Sequence, residues 1–253
     1  MHDLDVLVTG VRRIAESLYA LGLRAPEIAA EAQPGQFVNL LLRPGPLLRR
    51  PFSVYRVDAG VIEIVLKPVG TGTRMLVALE KGSRVGCLGP LGHGFEIDPE
   101  GGPVVLVSGG LGVAPMPLAA RQARRLGLQV TWVHGARSAA ELCPEWDGDS
   151  VVWATDDGSQ GIRGSALGGI PGDAGQVFGC GPNPMLAALA AARPDAQVAL
   201  ETYMGCGTGV CLGCAVPRTG GGFDRACKEG PVYRAGDVDW ATLPGHLHYG
   251  VMP

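Results

Sequence analysis

Positive charge is scarce in this chain. Lys and Arg total 21 against 24 Asp and Glu, a formal net charge of −3, and lysine occurs only as Lys67, Lys81 and Lys228. No basic stripe is present to track a phosphate backbone, so the charge gives no electrostatic case for nucleic acid, and no nucleic-acid partner is expected. No apolar run approaches 18 residues, so no segment is expected to span a membrane as a helix. The start, Met1-His2-Asp3-Leu4-Asp5, is acidic and has neither a basic n-region nor an apolar h-region. A secretory signal is therefore not expected, and a cytoplasmic location is. A G-X-Y period is missing, which excludes collagen. Long linkers and internal repeats are missing too.

What the chain has in excess is glycine, 40 residues, with 20 prolines beside it. In 253 residues that is close to a low-complexity composition, but a hydrophobic fraction of 46% can bury a core, which excludes general disorder. The glycines are expected at turns and at close backbone approaches, as at cofactor phosphates. Seven cysteines in a reducing compartment point to metal or redox chemistry rather than to disulfides. The length suits two domains and a small third.

The first hundred residues read as β-structure. Short apolar runs at 36–42, 51–57, 61–66 and 84–88 alternate with Gly, Pro and Asp, the spacing of a small barrel or sandwich. Residues 72–79 read as a short helix, and 11–32 lean to strands. From about residue 100 the pattern changes to buried strand, glycine turn and helix. Strands are expected at 103–108, 129–134, 151–154 and 176–179, with helices at 115–126 and 184–192. That is a doubly wound parallel α/β sheet. The last fifty residues are dominated by cysteine, glycine and turns, so their order is expected to need a bound metal.

Cys206, Cys211, Cys214 and Cys227 form C-x4-C-x2-C-x12-C. C-x4-C-x2-C with a later cysteine is the plant-type spacing for a [2Fe–2S] cluster. Gly205, Gly207, Gly209 and Gly213 surround the first three ligands, where side chains would obstruct backbone N–H groups turned toward bridging sulfides. The competing reading is a four-cysteine zinc site. Such sites usually present two C-x2-C pairs, and only Cys211 and Cys214 form one here. Cys87 is expected in the core and Cys143 in a loop.

Ser108-Gly109-Gly110-Leu111-Gly112-Val113-Ala114-Pro115 follows a strand and opens a helix. Glycines there admit a pyrophosphate, and the helix start supplies N–H groups; the plain alternative is a tight βα turn. Cys180-Gly181-Pro182 and Thr155-Asp156-Asp157-Gly158-Ser159 follow other strands at the same sheet edge. They read either as ligand contacts or as turn chemistry. Arg137 can meet a 2′-phosphate or cap a turn, which leaves NAD and NADP undecided. In the first domain, Arg50 can clamp a pyrophosphate and the Ser53 hydroxyl can bond a flavin ring edge. Gly70-Thr71-Gly72-Thr73 offers a second phosphate cradle. Taken singly, each of these also reads as an ordinary turn with a surface arginine.

In this order the motifs resemble the ferredoxin–NAD(P) reductase superfamily and, within it, the electron-transfer subunits of NAD-dependent dihydroorotate dehydrogenases. The resemblance covers nearly the whole chain. It rests on Arg50-Pro51-Phe52-Ser53, Gly72-Thr73, the turn from Gly89 through His93 to Phe95, the three sheet-edge loops, and the cysteines with Lys228-Glu229-Gly230-Pro231-Val232. It implies an FAD-binding β-barrel over residues 1–99, an NAD-binding α/β domain over 100–200 and a [2Fe–2S] domain over 201–253. It places Arg50, Pro51, Phe52, Ser53, Lys67, Pro68, Val69, Gly72 and Thr73 at FAD, and Gly109, Gly110 and Gly112 at NAD. Ser53 and Cys180 become the candidate catalytic residues, and the four cysteines the metal ligands. The implied activity is an oxidoreductase step in pyrimidine biosynthesis. The implied partner is an FMN-containing dihydroorotate dehydrogenase catalytic subunit, in a heterotetramer of two copies of each. His93, Gly205 and Pro68 depart from the family pattern; Pro68 weakens the expectation of backbone bonding to FAD. Two alternatives stand beside this. One is the same module serving a hydrogenase, a bifurcating transhydrogenase or a glutamate-synthase-like assembly. The other is a non-enzymatic zinc or redox-sensing module.

Overall fold

The computed structural model describes residues 1–146 and 148–243. The chain opens with β1 (His2–Arg13) and β2 (Tyr19–Arg24). The stretch expected as strand up to residue 32 instead turns into helix α1 (Pro26–Glu31). Proline at the first helical position loses no hydrogen bond, and Ile28 supplies the buried contact. Then follow β3 (Phe37–Leu41), β4 (Arg50–Asp58), β5 (Val61–Leu66), α2 (Thr71–Val77) and β6 (Arg84–Leu91). The six strands close into an antiparallel barrel in the order β1-β2-β5-β4-β3-β6. Val38, Leu40, Val54, Ile62, Ile64 and Val85 fill its interior.

The second part alternates β7 (Val104–Gly109), α3 (Met116–Arg125), β8 (Val130–Ala136), β9 (Ser150–Thr155), β10 (Ile162–Arg163), β11 (Gln176–Cys180), α4 (Asn183–Ala192) and β12 (Gln197–Ala199). These strands pair in parallel in the order β10-β9-β8-β7-β11-β12. The near-continuous apolar character of β7 follows from burial on both faces. Val105 and Val107 pack with Val133, Leu186 and Leu189. Val104 and Leu106 pack with Trp132, Ala119, Ala120 and the barrel residue Tyr55.

The remaining chain forms the hairpin β13 (Ala215–Pro217) and β14 (Phe223–Arg225), then β15 (Val232–Arg234), which adds antiparallel to β12 as the seventh strand of the sheet. Cys214, Cys227 and Val216 share one core with Phe37, Leu88 and Leu91 of the barrel. The segment therefore wedges between barrel and sheet. A bulge in β4 between Val54 and Arg56 turns Tyr55 and Arg56 to the same side. Both bond Glu145, at 3.3 and 3.1 Å, and Arg12 joins them. Burial opposes ionisation of Glu145, but the guanidinium of Arg12 and that of Arg56 outweigh it and hold the carboxyl below its usual range. One carboxylate thus ties the second part to two barrel strands. Among the described residues no helix is long and apolar enough to cross a membrane.

Candidate cofactor sites

The parallel order places a topological switch between β7 and β11, because β8 to β10 run to one side and β12 to the other. In open α/β sheets, ligands bind at the carboxyl end of such a point. The two expected loops meet there. Ser108 lies opposite Cys180 in register, and a Cβ on Gly109 would sit 2.9 Å from Met185 Sδ and 3.1 Å from Pro182 Cδ. Gly112 packs directly on the Cys180 carbonyl, leaving no room for a side chain. Gly110, at φ +53°, has open space where a Cβ would stand. Of the three glycines, then, Gly112 packs on β11, Gly109 packs on the start of α4, and Gly110 leaves the backbone open to a ligand.

Beneath this edge lies a buried network. His134 Nε2 accepts from Cys143 N–H at 3.3 Å, so Nδ1 faces Ser108 Oγ at 2.8 Å as a donor. Trp132 Nε1 donates to the same oxygen at 2.8 Å. Burial keeps His134 neutral and pushes its pKa down to about 4. The Cys180 thiol is buried, and burial raises its pKa well above the ordinary thiol value; it is a neutral thiol. Arg137 is exposed and pairs with Glu141 at 2.7 Å, and Lys67 of the barrel reaches the same carboxylate at 3.7 Å. In the Thr155–Ser159 loop, the Asp157 carboxylate accepts from Ser159 N and Oγ, an Asx turn.

In the barrel, Arg50, Pro51, Phe52 and Ser53 all lie half-buried on β4. Phe52 packs toward the interior, which by alternation turns Pro51 and Ser53 outward. Arg50 donates to Leu48 O at 2.6 Å, and its guanidinium lies where a side chain on Gly72 would stand. Space is open beside Gly70. Arg50, Gly70 and Gly72 thus share one surface with a cation and no obstructing Cβ, which fits a pyrophosphate-bearing nucleotide. Thr73 Oγ1 is occupied: it accepts from Gly70 N at 3.0 Å and donates to Gly70 O at 3.1 Å. Val69 N bonds Lys67 O across Pro68 in a tight turn.

The cysteine loop differs in kind. Cys206 Sγ accepts N–H bonds from Thr208 (3.4 Å) and Cys211 (3.5 Å), and Cys227 Sγ accepts from Gly209 (3.1 Å). Burial works against ionising Cys206, but the two N–H bonds outweigh it and bring its pKa down to about 5. Cys214 and Cys227 stand 3.3 Å apart. Burial and that neighbour push Cys227 up to about 12, and a cation bound to its sulfur would favour the thiolate. Among the described residues, no three His, Cys, Asp or Glu side chains converge as a single metal ion would require. Cys214 and Cys227 form one close pair of thiols, and the C-x4-C-x2-C spacing, not the two C-x2-C pairs of a structural zinc site, is what favours a binuclear iron cluster. Leu212 is held at φ +59°. Cys211 is exposed, flanked by Val210 and Leu212 at 81% and 63% exposure.

Two contributors, Asn39 and Arg225, were missed in the sequence. Asn39 bonds the Cys206 carbonyl from across the barrel. Arg225 holds Gly209 O at 3.0 Å while pairing with Glu229 four residues on. Arg225 in turn draws the Glu229 carboxyl down to about 2. The i,i+4 spacing around Cys227 is a signal for that pair; Asn39 left none beyond interrupting an apolar run. The Gly92–His93 turn docks on Gly230, with His93 N to Gly230 O at 2.6 Å, so two segments of the family resemblance meet in space.

A six-stranded antiparallel barrel, a parallel α/β sheet with its switch point facing it, and a plant-type cysteine loop define an oxidoreductase of the ferredoxin-reductase type with an iron–sulfur segment. Residues 201–239 match the model for the iron–sulfur cluster binding domain of dihydroorotate dehydrogenase B. The dihydroorotate dehydrogenase B (NAD(+)) electron transfer subunit of Geobacillus thermodenitrificans is 39% identical, covering 91% of this chain and 96% of that one. Its counterpart from Desulforamulus reducens is 38% identical over 93% and 98%. Among solved structures, an NADH-dependent reduced ferredoxin-NADP oxidoreductase superposes with a TM-score of 0.83 at 30% identity, covering 93% of this chain and 90% of that one. A ferredoxin reductase of carbazole 1,9a-dioxygenase shares the fold, with a TM-score of 0.66 at 23% identity over 76% and 64%. The chain belongs to the family of dihydroorotate dehydrogenase B electron transfer subunits.

Proposed function

We propose that this chain conveys the two electrons released when a partner subunit oxidises dihydroorotate to orotate, and delivers them to NAD⁺. The balance is dihydroorotate + NAD⁺ → orotate + NADH + H⁺. The partner is an FMN-containing catalytic subunit, two of each chain form the assembly, and the location is cytoplasmic. No acid–base constellation for dihydroorotate occurs among the candidate sites, which supports leaving that oxidation to the partner. When bound, FAD supplies the exchange between two-electron hydride chemistry and one-electron chemistry that joins NAD to an iron–sulfur cluster.

In this reading residues 1–99 hold FAD, 100–200 hold NAD and 201–253 hold the cluster. Cys206, Cys211, Cys214 and Cys227 ligate iron. Arg50 meets the FAD pyrophosphate, Pro51, Phe52 and Ser53 line the flavin, and Lys67, Pro68, Val69, Gly72 and Thr73 complete its cradle through backbone and packing. Gly110 opens the loop to NAD, Gly112 keeps it seated on β11, and Gly109 lets it pack on the start of α4. Cys180 shapes the floor of the nicotinamide site as a neutral thiol.

One observation carries the reading. The cysteine loop packs inward on the barrel through Cys214 and Cys227, while Cys211 lies at the surface between two exposed apolar side chains. That suits a relay with one side toward a flavin and the other toward a partner. The test is coexpression with an FMN-dependent dihydroorotate-oxidising subunit. A stable complex in which dihydroorotate reduces NAD⁺ is expected. The likeness to the NADH-dependent ferredoxin-NADP oxidoreductase favours a second reading, a transhydrogenase module. No dihydroorotate-dependent NADH, together with ferredoxin-dependent turnover, would establish that one instead.

A further inference from the structure

Asn39 lies mid-strand on β3 with no exposed surface. Four polar side chains are fully buried among the described residues, and Asn39 is the one in the barrel. Phe37, Leu88 and Leu91 around it are apolar and share a core with Cys214 and Cys227. Its Nδ2 donates to the Cys206 carbonyl at 3.3 Å, while Oδ1 is buried without a partner. Gly207, at φ +74°, leaves the space the amide fills. Arg49 anchors the same residue from behind, donating to the Asn39 carbonyl at 3.3 Å and pairing with Asp3 at 2.8 Å.

The cross-strand partner of Asn39 is Pro51, and that of Phe37 is Ser53. Paired residues of neighbouring strands project to the same face. The side chain that grips the Cys206 carbonyl therefore stands directly beside the row proposed to line the flavin. A leucine would suit this apolar face. A buried amide with one unpaired atom is costly there, so what the amide contributes is its bond to Cys206.

We infer that Asn39 is a positioning residue, fixing the loop of the first cluster ligand relative to β4 and so setting the coupling between the flavin and cluster sites. This rests on the functional reading above. Cluster properties respond to hydrogen bonding and the dipoles around the ligands, so losing the bond alters the cluster itself as well as its distance from β4.

The test uses the full chain, purified anaerobically, with Asn39→Leu and the smaller Asn39→Ser. FAD content at the wild-type level marks a folded barrel. In folded variants, the electron paramagnetic resonance g-values of the reduced cluster are expected to shift. The rate at which NADH reduces the cluster should fall by about tenfold, the scale of one net hydrogen bond in an activation barrier. Wild-type g-values and wild-type cluster reduction in both variants overturn the inference. Loss of FAD from both also overturns it, assigning Asn39 to the barrel core. A wild-type chain with no cluster signal overturns the functional reading and this inference together.

Discussion

Gly112 and Gly205 show two different uses of glycine. At the sheet edge, Gly112 is required because its Cα lies against the backbone carbonyl of Cys180. In the cysteine loop, Gly205 only borders the Cys211 sulfur, which lies 3.3 Å from where its Cβ would stand, and the 3.6 Å at Gly213 is an ordinary contact. The first loop is seated by the sheet, between strands paired in register. The second is seated by N–H bonds to sulfur, by the Arg225–Glu229 pair and by Asn39. The proposed nucleotide site is therefore an edge organised by paired strands, whereas the proposed cluster loop is organised by side-chain and N–H contacts to its sulfurs and carbonyls.

Substitution at paired glycines sharpens this contrast. Gly112→Ala must push β11 away. It should cost about 1–3 kcal/mol of stability and weaken NADH binding, measured by thermal unfolding and flavin bleaching. Gly110→Ala has space and should cost only about 1 kcal/mol, for its left-handed backbone. Gly207→Ala should lower cluster occupancy while leaving the melting of barrel and sheet close to wild type. Equal effects of Gly112→Ala and Gly207→Ala on melting would erase the distinction.

A further effect separates the regions by pH. His134 has its folded pKa lowered to about 4 from 6.5. Between those values the unfolded chain takes up a proton that the folded chain refuses, so stability falls as pH drops from 6.5 toward 4. The loss is at most about 3 kcal/mol. The slope of melting temperature with pH in this window should flatten in His134→Gln. An unchanged slope would show that the buried network under the nucleotide edge does not govern it.

Much of this was legible from the chain. The apolar run ending at Ser108 gave β7, because a strand buried on both faces needs no alternation. The cysteine spacing pointed to an iron–sulfur segment, which the match over residues 201–239 bears out, because cluster geometry constrains spacing. Proline at 26 was the overlooked sign of helix α1. The alternation of Leu4, Val6 and Val8 in β1 was hidden by Asp3, Asp5 and Leu7, which interleave with them on the exposed side of the strand. Contacts between distant segments were not legible. Glu145 lies 133 residues from Arg12, and Asn39 lies 167 from Cys206. No local pattern encodes a bond that exists only once barrel, sheet and cysteine loop are packed.

Iron, acid-labile sulfide, zinc and flavin quantified on the anaerobically purified wild-type chain and on Cys211→Ser test the central claim most directly. The account predicts about two irons, two sulfides and one FAD per wild-type chain, with Cys211→Ser keeping its FAD and its reduction by NADH while losing cluster absorbance. Zinc without flavin in the wild-type chain would contradict it.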